Sequence, residues 1–321
     1  MVLTRSPRNP ILTREMIPDC PPEIRDATSV FNPGAIKLGR EYWLLLRVQT
    51  RGRRTYLMRA QGSDGERFAV LPGIVRIQGL ERVGTTVHHL YDPRISWLEG
   101  QAQITVALDL DQECRVGLLR SADLREFEFV GLISEGASRN AVLFPERVGG
   151  HYLRLERPNL TGGEVGRGSG DEIWLAESAD LRQWRPRECV LRGRWHYWDE
   201  LIGPGPPPIK TRAGWLCIYH GVALHLASAH IYQAGVFLLD LEDPTKLLAR
   251  GRDNILEPRE PYELIGQVPN VVFPSGVIVE GYDAAGYARP ESLVRLYYGA
   301  ADSCVATATT TVAALLEAAQ R

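Results

Sequence analysis

Short apolar runs separated by polar turns recur along almost the whole chain. Tyr42 to Val48, Thr55 to Ala60, Ile104 to Leu110, Val116 to Leu119, Tyr152 to Leu155, Ile173 to Ala176, Trp215 to Tyr219, Ala234 to Leu239, Val271 to Val279 and Val294 to Tyr298 are each of strand length. Gly, Pro, Asn and Asp punctuate the gaps between them. Many short strands at such spacing predict an all-β sandwich, barrel or propeller. One helix is expected, over Val312 to Arg321, where Ala and Leu dominate.

A period decides among these architectures. Arg120-Ser121-Ala122-Asp123-Leu124-Arg125-Glu126-Phe127 and Glu177-Ser178-Ala179-Asp180-Leu181-Arg182-Gln183-Trp184 are nearly the same phrase, with weaker echoes at Gln61 to Phe68, Asp240 to Pro244 and Gly299 to Asp302. Asp64, Asp123, Asp180, Asp243 and Asp302 follow one another at roughly 60 residues, the signature of stacked supersecondary units. A unit of about 60 residues holds a four-stranded antiparallel sheet with generous loops, so the prediction is a five-bladed β-propeller. In each unit Ser and Asp should cap a turn through their own side chains, with the aromatic packed behind. Residues 1–28, rich in proline, read as an extended arm, 29–311 as one propeller domain, and 312–321 as the terminal helix.

Composition narrows the ligand. The chain has 321 residues, 44% of them apolar, and 37 basic against 39 acidic side chains give a net charge of −2. Nothing here suits a nucleic acid or an anionic membrane, so a small or neutral ligand is expected. Five scattered cysteines with no CxxC pair, no apolar stretch of signal-peptide length and no membrane-length segment lead us to expect a cytoplasmic protein. The glycine-rich stretch Gly162 to Gly170 runs into the strand-like Asp171-Glu172-Ile173-Trp174-Leu175, so it lacks the helix that a phosphate-binding loop requires. His220, His225 and His230 are spaced too widely for the HExxH arrangement, and no metal site or organic cofactor is expected.

The candidate chemistry sits beside strands. Tyr91-Asp92-Pro93-Arg94-Ile95, Arg139-Asn140-Ala141-Val142-Leu143-Phe144-Pro145-Glu146, Pro206-Pro207-Pro208-Ile209-Lys210-Thr211, Ile218-Tyr219-His220-Gly221 and Tyr297-Tyr298-Gly299-Ala300-Ala301-Asp302 follow in that order. This ordered set, which opens with Phe31-Asn32-Pro33-Gly34-Ala35, resembles glycoside hydrolase family 130, the mannoside phosphorylases and related mannosidases. The family's fold is a five-bladed β-propeller, in agreement with the period. The resemblance implies that Asp92 is the proton donor, acting on the glycosidic oxygen through the 3-hydroxyl of the mannosyl unit. It also implies that Arg139, Arg157, Lys210 and Tyr232 hold phosphate, and that Asn32, Arg47, Asn140, His220 and Asp302 bind the sugar.

The implied activity is the inverting cleavage of a β-mannoside by inorganic phosphate, giving α-mannose 1-phosphate, with a manno-oligosaccharide or mannosyl disaccharide as the other substrate. An inverting hydrolase needs a second carboxylate to activate water. Phosphate is already an anionic nucleophile, so a phosphorylase instead needs fixed cations to hold it. Three departures from the family pattern, at Tyr91, at Gly136-Ala137-Ser138 and at Pro33, leave the acceptor sugar and the linkage open. A β-mannosidase on the same propeller is the alternative reading, and a non-catalytic sugar-binding propeller is a third. The resemblance also leaves room for a homo-oligomer.

Overall fold

The computed structural model describes residues 2–159, 170–225 and 229–321. Among the described residues twenty-two strands form five antiparallel-dominated sheets around one axis. Blade 1 comprises Ser29–Leu38, Glu41–Gln49, Thr55–Gly62 and Ala69–Val70 from the inside outwards. Blade 2 runs His89–Leu98, Gln101–Asp109, Cys114–Ser121 and Phe127–Leu132, with Ile77–Gln78 added in parallel at its edge. Blade 3 is Ser138–Leu143, Tyr152–Pro158, Glu172–Ser178 and Arg185–Arg192. In blade 4 the inner strand is split into Leu201–Pro204 and Ile209–Thr211, both paired with Gly214–Ala223, and followed by Ile231–Leu239 and Leu247–Arg250. Blade 5 is Val272–Val279, Leu293–Ala300 and Cys304–Thr311, completed by Thr4–Arg5.

Each of these sheets is sandwiched between two others, which explains why the sequence shows continuous apolar runs rather than strict alternation. Trp43 and Leu45 face Ile104 and Val106 of blade 2, while Leu44, Leu46 and Val48 on the same strand face Tyr297 of blade 5. Trp215, Cys217 and Tyr219 pack on blade 3, whereas Leu216 and Ile218 pack on blade 5. A smaller cluster joins Leu98, Val116 and Leu118 to Leu143 and Trp184, closing the set of five interfaces. All five cysteines are free. No helix among the described residues is long and apolar enough to cross a membrane.

The terminal helix forms over Val312–Gln320, capped by the Thr311 hydroxyl, and sits on the interface between blades 4 and 5. A one-turn helix at Pro261–Leu264, which the sequence pattern did not signal, precedes blade 5. The segment read as an arm does more than lie on the body. Thr4 and Arg5 pair with Thr309 and Ala308 as the outer strand of the last blade, and Ile11, Leu12, Ile17 and Ile24 are buried between blades 5 and 1.

The repeated phrase is the turn between third and fourth strands. One carboxylate oxygen of Asp123 accepts the backbone N–H of Arg125 and Glu126, and Asp180 does the same for Arg182 and Gln183. Asp64 caps its turn identically, and in blade 4 the position belongs to Asp240, three residues before the expected Asp243. Asp302 departs from the pattern. It stands between the second and third strands of blade 5, at the opposite end of the sheet from the other turns. Blade 5 has no third-to-fourth turn at all, because its fourth strand comes from the start of the chain.

Candidate active site

The inner strands of blades 1, 2 and 3 share one irregularity. Their pairing with the second strand shifts between Phe31 and Gly34, between Tyr91 and Arg94, and between Arg139 and Val142. The residue inside each bulge is left-handed: Asn32 at φ 47°, Asp92 at 53° and Asn140 at 58°. Asn and Asp tolerate that region better than other side chains, and bulges re-aim a side chain out of the regular alternation. The three polar groups therefore occupy equivalent places in successive blades and point into one cavity of about 380 Å³. Arg47, Arg139, Arg157, His220, Tyr232 and Asp302 also line it.

Asp92 is held from one side only. Asn32 Nδ2 donates to its Oδ1 at 2.9 Å, and Arg47 Nη1 donates to the same atom at 3.0 Å. Among the described residues no group bonds Oδ2, which leaves that oxygen for a ligand hydroxyl. Arg47 is fixed between two rings, 4.5 Å from the centroid of Phe31 and 4.4 Å from that of Tyr91. Tyr91 is anchored in turn by its hydroxyl, which donates to Asp109 at 2.8 Å. Burial pushes the Tyr91 phenol far up, so it stays a neutral donor.

Beneath the carboxylate lies Arg94, only 1% exposed. It donates to the Asp92 carbonyl at 2.9 Å and to the Gly205 carbonyl at 2.9 Å, and its guanidinium lies 5.4 Å from the Phe273 ring. Burial lowers its pKa to about 10. Two glycines make room for the first layer of groups. A Cβ at Gly299 would overlap the Asn32 amide, and one at Gly203 would overlap the ring of His220. His220 is fully buried against Phe273, with ring centroids 4.6 Å apart, and burial together with Arg157 and Arg94 holds its pKa well below the usual imidazole value. The imidazole is neutral.

In the neighbouring blade 3, Arg139 and Arg157 are direct cross-strand partners. Neither makes an ion pair among the described residues, and the Nε of each is buried without a hydrogen-bond partner. Burial, and then the neighbouring Arg139 charge, lower the pKa of Arg157 to about 10. For Arg139 burial also opposes the charge, but Tyr91, Cys114, Asp109 and Asp92 more than offset it. Two adjacent cations without a counter-ion are unfavourable unless something negative joins them. Tyr232 stands nearby, its phenol raised by burial. Asp302 is a second carboxyl in the cavity; burial raises it to about 6, and Asp92 adds to the rise while Arg47 opposes it.

Lys210 is not part of this site. It pairs with Trp215 at the start of its neighbouring strand, so it sits at the far end of the sheet from His220. Its Nζ binds Glu146 at 2.6 Å and lies 4.5 Å from the Tyr287 ring. The proline run that splits the inner strand of blade 4 carries it there. The glycine-rich stretch 162–169 lies outside the described residues. Among the described residues no group of three His, Cys, Asp or Glu side chains is placed to hold a metal.

Asp109, His89 and Arg53 also line the cavity and were not anticipated. One signal was available for the bulges: Phe31-Asn32-Pro33 and Tyr91-Asp92-Pro93 repeat an aromatic, a short polar residue and a proline one unit apart.

A propeller whose inner-strand bulges gather a supported carboxylate into one cavity with two guanidiniums that have no ion-pair partner among the described residues belongs, by fold and site, with the carbohydrate-cleaving propeller enzymes. The chain is a member of glycoside hydrolase family 130, whose model, described as beta-1,4-mannooligosaccharide phosphorylase, matches residues 3–321. It is 28% identical over 318 residues to the beta-1,4-mannooligosaccharide phosphorylase of Ruminococcus albus, covering 97% of this chain and 89% of that one. It is 31% identical over 294 residues to the 1,2-beta-oligomannan phosphorylase of a Thermoanaerobacter species, covering 88% and 90%. The solved beta-1,2-mannobiose phosphorylase of Listeria innocua in complex with beta-1,2-mannobiose superimposes with a TM-score of 0.85 over 99% of both chains, at 25% identity.

Proposed function

We propose that the protein is an inverting phosphorylase that cleaves a β-mannoside with inorganic phosphate to give α-mannose 1-phosphate and a shortened sugar. The observation that carries this reading is the Arg139–Arg157 pair, two half-buried cations with no ion-pair partner among the described residues, in the same cavity as Asp92. A phosphate dianion supplies the missing counter-charge and is at once the nucleophile, so no protein base is required. Arginine forks are suited to two-point contact with phosphate. Asn140, Tyr232 and neutral His220 line the same cavity as further polar partners for phosphate or sugar.

The mannosyl unit rests against Asn32, Arg47 and Asp302. Asp92 offers its unbonded Oδ2 to the 3-hydroxyl, and the proton passes through that hydroxyl to the departing glycosidic oxygen. Asn32 and Arg47, both on Oδ1, fix the carboxyl so that only one oxygen faces the sugar. Relatives named as β-1,4- and β-1,2-mannoside phosphorylases support the substrate class. A second carboxyl, Asp302, favours one other reading, a β-mannosidase that activates water.

Incubating the protein with β-mannobiose and manno-oligosaccharides, with and without phosphate, separates the two. Mannose 1-phosphate should accumulate only when phosphate is present, and phosphate-independent release of mannose would overturn phosphorolysis. Asp92→Asn should abolish turnover. Arg157→Gln should raise the phosphate KM by about ten- to a hundredfold, the loss of one charge-assisted contact of about 1.5–3 kcal/mol. Lys210→Ala, remote from the cavity, should leave that KM where it is.

A further inference from the structure

The tip of blade 1 between its second and third strands is Thr50-Arg51-Gly52-Arg53-Arg54, three arginines in a chain whose overall charge is nearly balanced. The hairpin is closed by the Thr50 N–H to the Arg54 carbonyl at 3.0 Å. Arg51 is neutralised by Asp26. Arg53 and Arg54 have no ion-pair partner among the described residues. Arg53 also sits at φ 60°, a left-handed conformation that glycine adopts at much lower cost. An arginine kept in a strained turn, exposed and unpaired, is an outlier of the kind that marks function.

Its location supplies the function. Arg53 lines the catalytic cavity, whereas Arg54 lines a neighbouring groove of about 650 Å³ between blades 1 and 2. Thr55 and His89 line both, so cavity and groove meet there. Tyr56, Ile74, Val75, Leu80 and Val87 give the groove an apolar lining, and no Asp or Glu contributes to it. Of its other basic groups, Arg76 is paired with Glu23, and the His88 ring is hydrogen-bonded to Asp111. The uncompensated charge is thus concentrated at Arg53 and Arg54, at the junction. Displacement with inversion sets the leaving group on the face of the sugar away from the nucleophile. Thr55 pairs with Gln49, two residues along the strand from Arg47, so a leaving group that extends beyond a mannosyl unit at Arg47 reaches the junction of cavity and groove.

We propose that this groove receives the leaving-group end of the substrate, and that this end bears an anionic substituent, a uronate carboxylate or a phosphate ester, held by Arg53 and Arg54. The proposal rests on the phosphorylase reading only for which end of the substrate faces the groove. The apolar lining takes the faces of the sugar rings, while the arginine pair selects charge.

The test is calorimetric binding to the Asp92→Asn protein of three ligands: β-mannosyl-glucose, β-mannosyl-glucuronic acid and β-mannosyl-glucose 6-phosphate. At low salt one or both charged ligands should bind about tenfold or more tightly than the neutral one, the equivalent of a single charge-assisted contact, and the advantage should shrink at high ionic strength. Arg53→Gly and Arg54→Ala should each reduce the charged-to-neutral ratio, and the double variant should bring it to about one. Arg53→Gly should also raise the thermal midpoint, since it removes the left-handed arginine. Preference for the uronate or for the phosphate ester tells which anion the groove takes. Equal affinity for all three ligands, or a preference that survives the double substitution, overturns the proposal. Phosphate-dependent turnover of mannobiose by the unmodified protein is scored separately. Its absence alongside an intact charge preference would remove phosphorolysis and leave the anion site standing.

Discussion

Asp302 shows how one side chain can be read correctly for place and wrongly for reason. It falls on the sequence period, which suggested a turn cap, yet it stands at the other end of its blade, in the cavity with Asp92. Its raised pKa has a stability consequence. Below pH about 4 the carboxyl is protonated folded or unfolded, and burial carries no penalty. As pH climbs through about 6 the folded state must hold a charge that the unfolded state carries freely, so stability is lost across that window. Asp302→Asn should therefore be more stable than the parent above pH 6, by on the order of 1–3 kcal/mol after allowing for solvent screening, and indistinguishable from it near pH 4. Urea midpoints measured from pH 4 to 8 check this. A stabilisation that stays constant with pH would show that burial of the charge is not its cause.

At the scale of elements, the middle strands of the blades were legible because both faces are buried and the runs are continuously apolar. The inner strands of blades 1 to 3 were not, although they carry Asn32, Asp92, Arg139 and Asn140. Their bulges interrupt the period of two, and the polar residues in the bulges read as loop. The family resemblance located those residues where periodicity could not, but it misplaced Lys210, whose side chain turns to Glu146 once the proline run has split the strand. Asn32, Asp92 and Asn140 are the same structural position in three blades, distinguished by which side chain fills it. Gly203, on the inner strand of blade 4, tests how tightly that ring is packed. A methyl there would overlap His220 and come within 3.2 Å of the Asn140 amide. Gly203→Ala should cost about 1–3 kcal/mol through overpacking and displace the His220 ring. Thermal unfolding and the imidazole proton shifts report the two effects, and unchanged shifts would refute the contact.

On the scale of the whole molecule, five blades were countable from the repeated aspartate turn, although only four blades contain it. The fifth is completed by the opening residues of the chain. Arg5 ties this closure to the interior: Nε and Nη2 donate to the two oxygens of Glu263 at 2.8 Å each, and Nη2 also reaches the Glu257 carbonyl at 2.6 Å. Glu263 is fully buried and accepts as well from the Tyr298 hydroxyl at 2.8 Å. Arg5→Met leaves that carboxylate without its counter-charge and should destabilise the protein by about 3–5 kcal/mol. Adding Glu263→Gln should recover part of the loss, as a double-mutant cycle on the unfolding free energy would show. Simple additivity of the two substitutions would mean that the pair contributes nothing as a pair.

The pairing of Thr4 and Arg5 with Thr309 and Ala308 also sets an order of events at the ribosome. Thr4 and Arg5 precede blade 1 in the sequence, yet they find their place only after the partner strand Cys304–Thr311, beyond blade 4, has been made. Blades 1 to 4 can assemble as translation proceeds, but until Cys304–Thr311 is released blade 5 lacks both its outer strands, and Thr4 and Arg5 have no strand to pair with. Closure of the propeller thus waits for a strand that is made after the other four blades. Moving Thr4 and Arg5 behind the terminal helix by circular permutation would change when that step happens without changing the finished molecule.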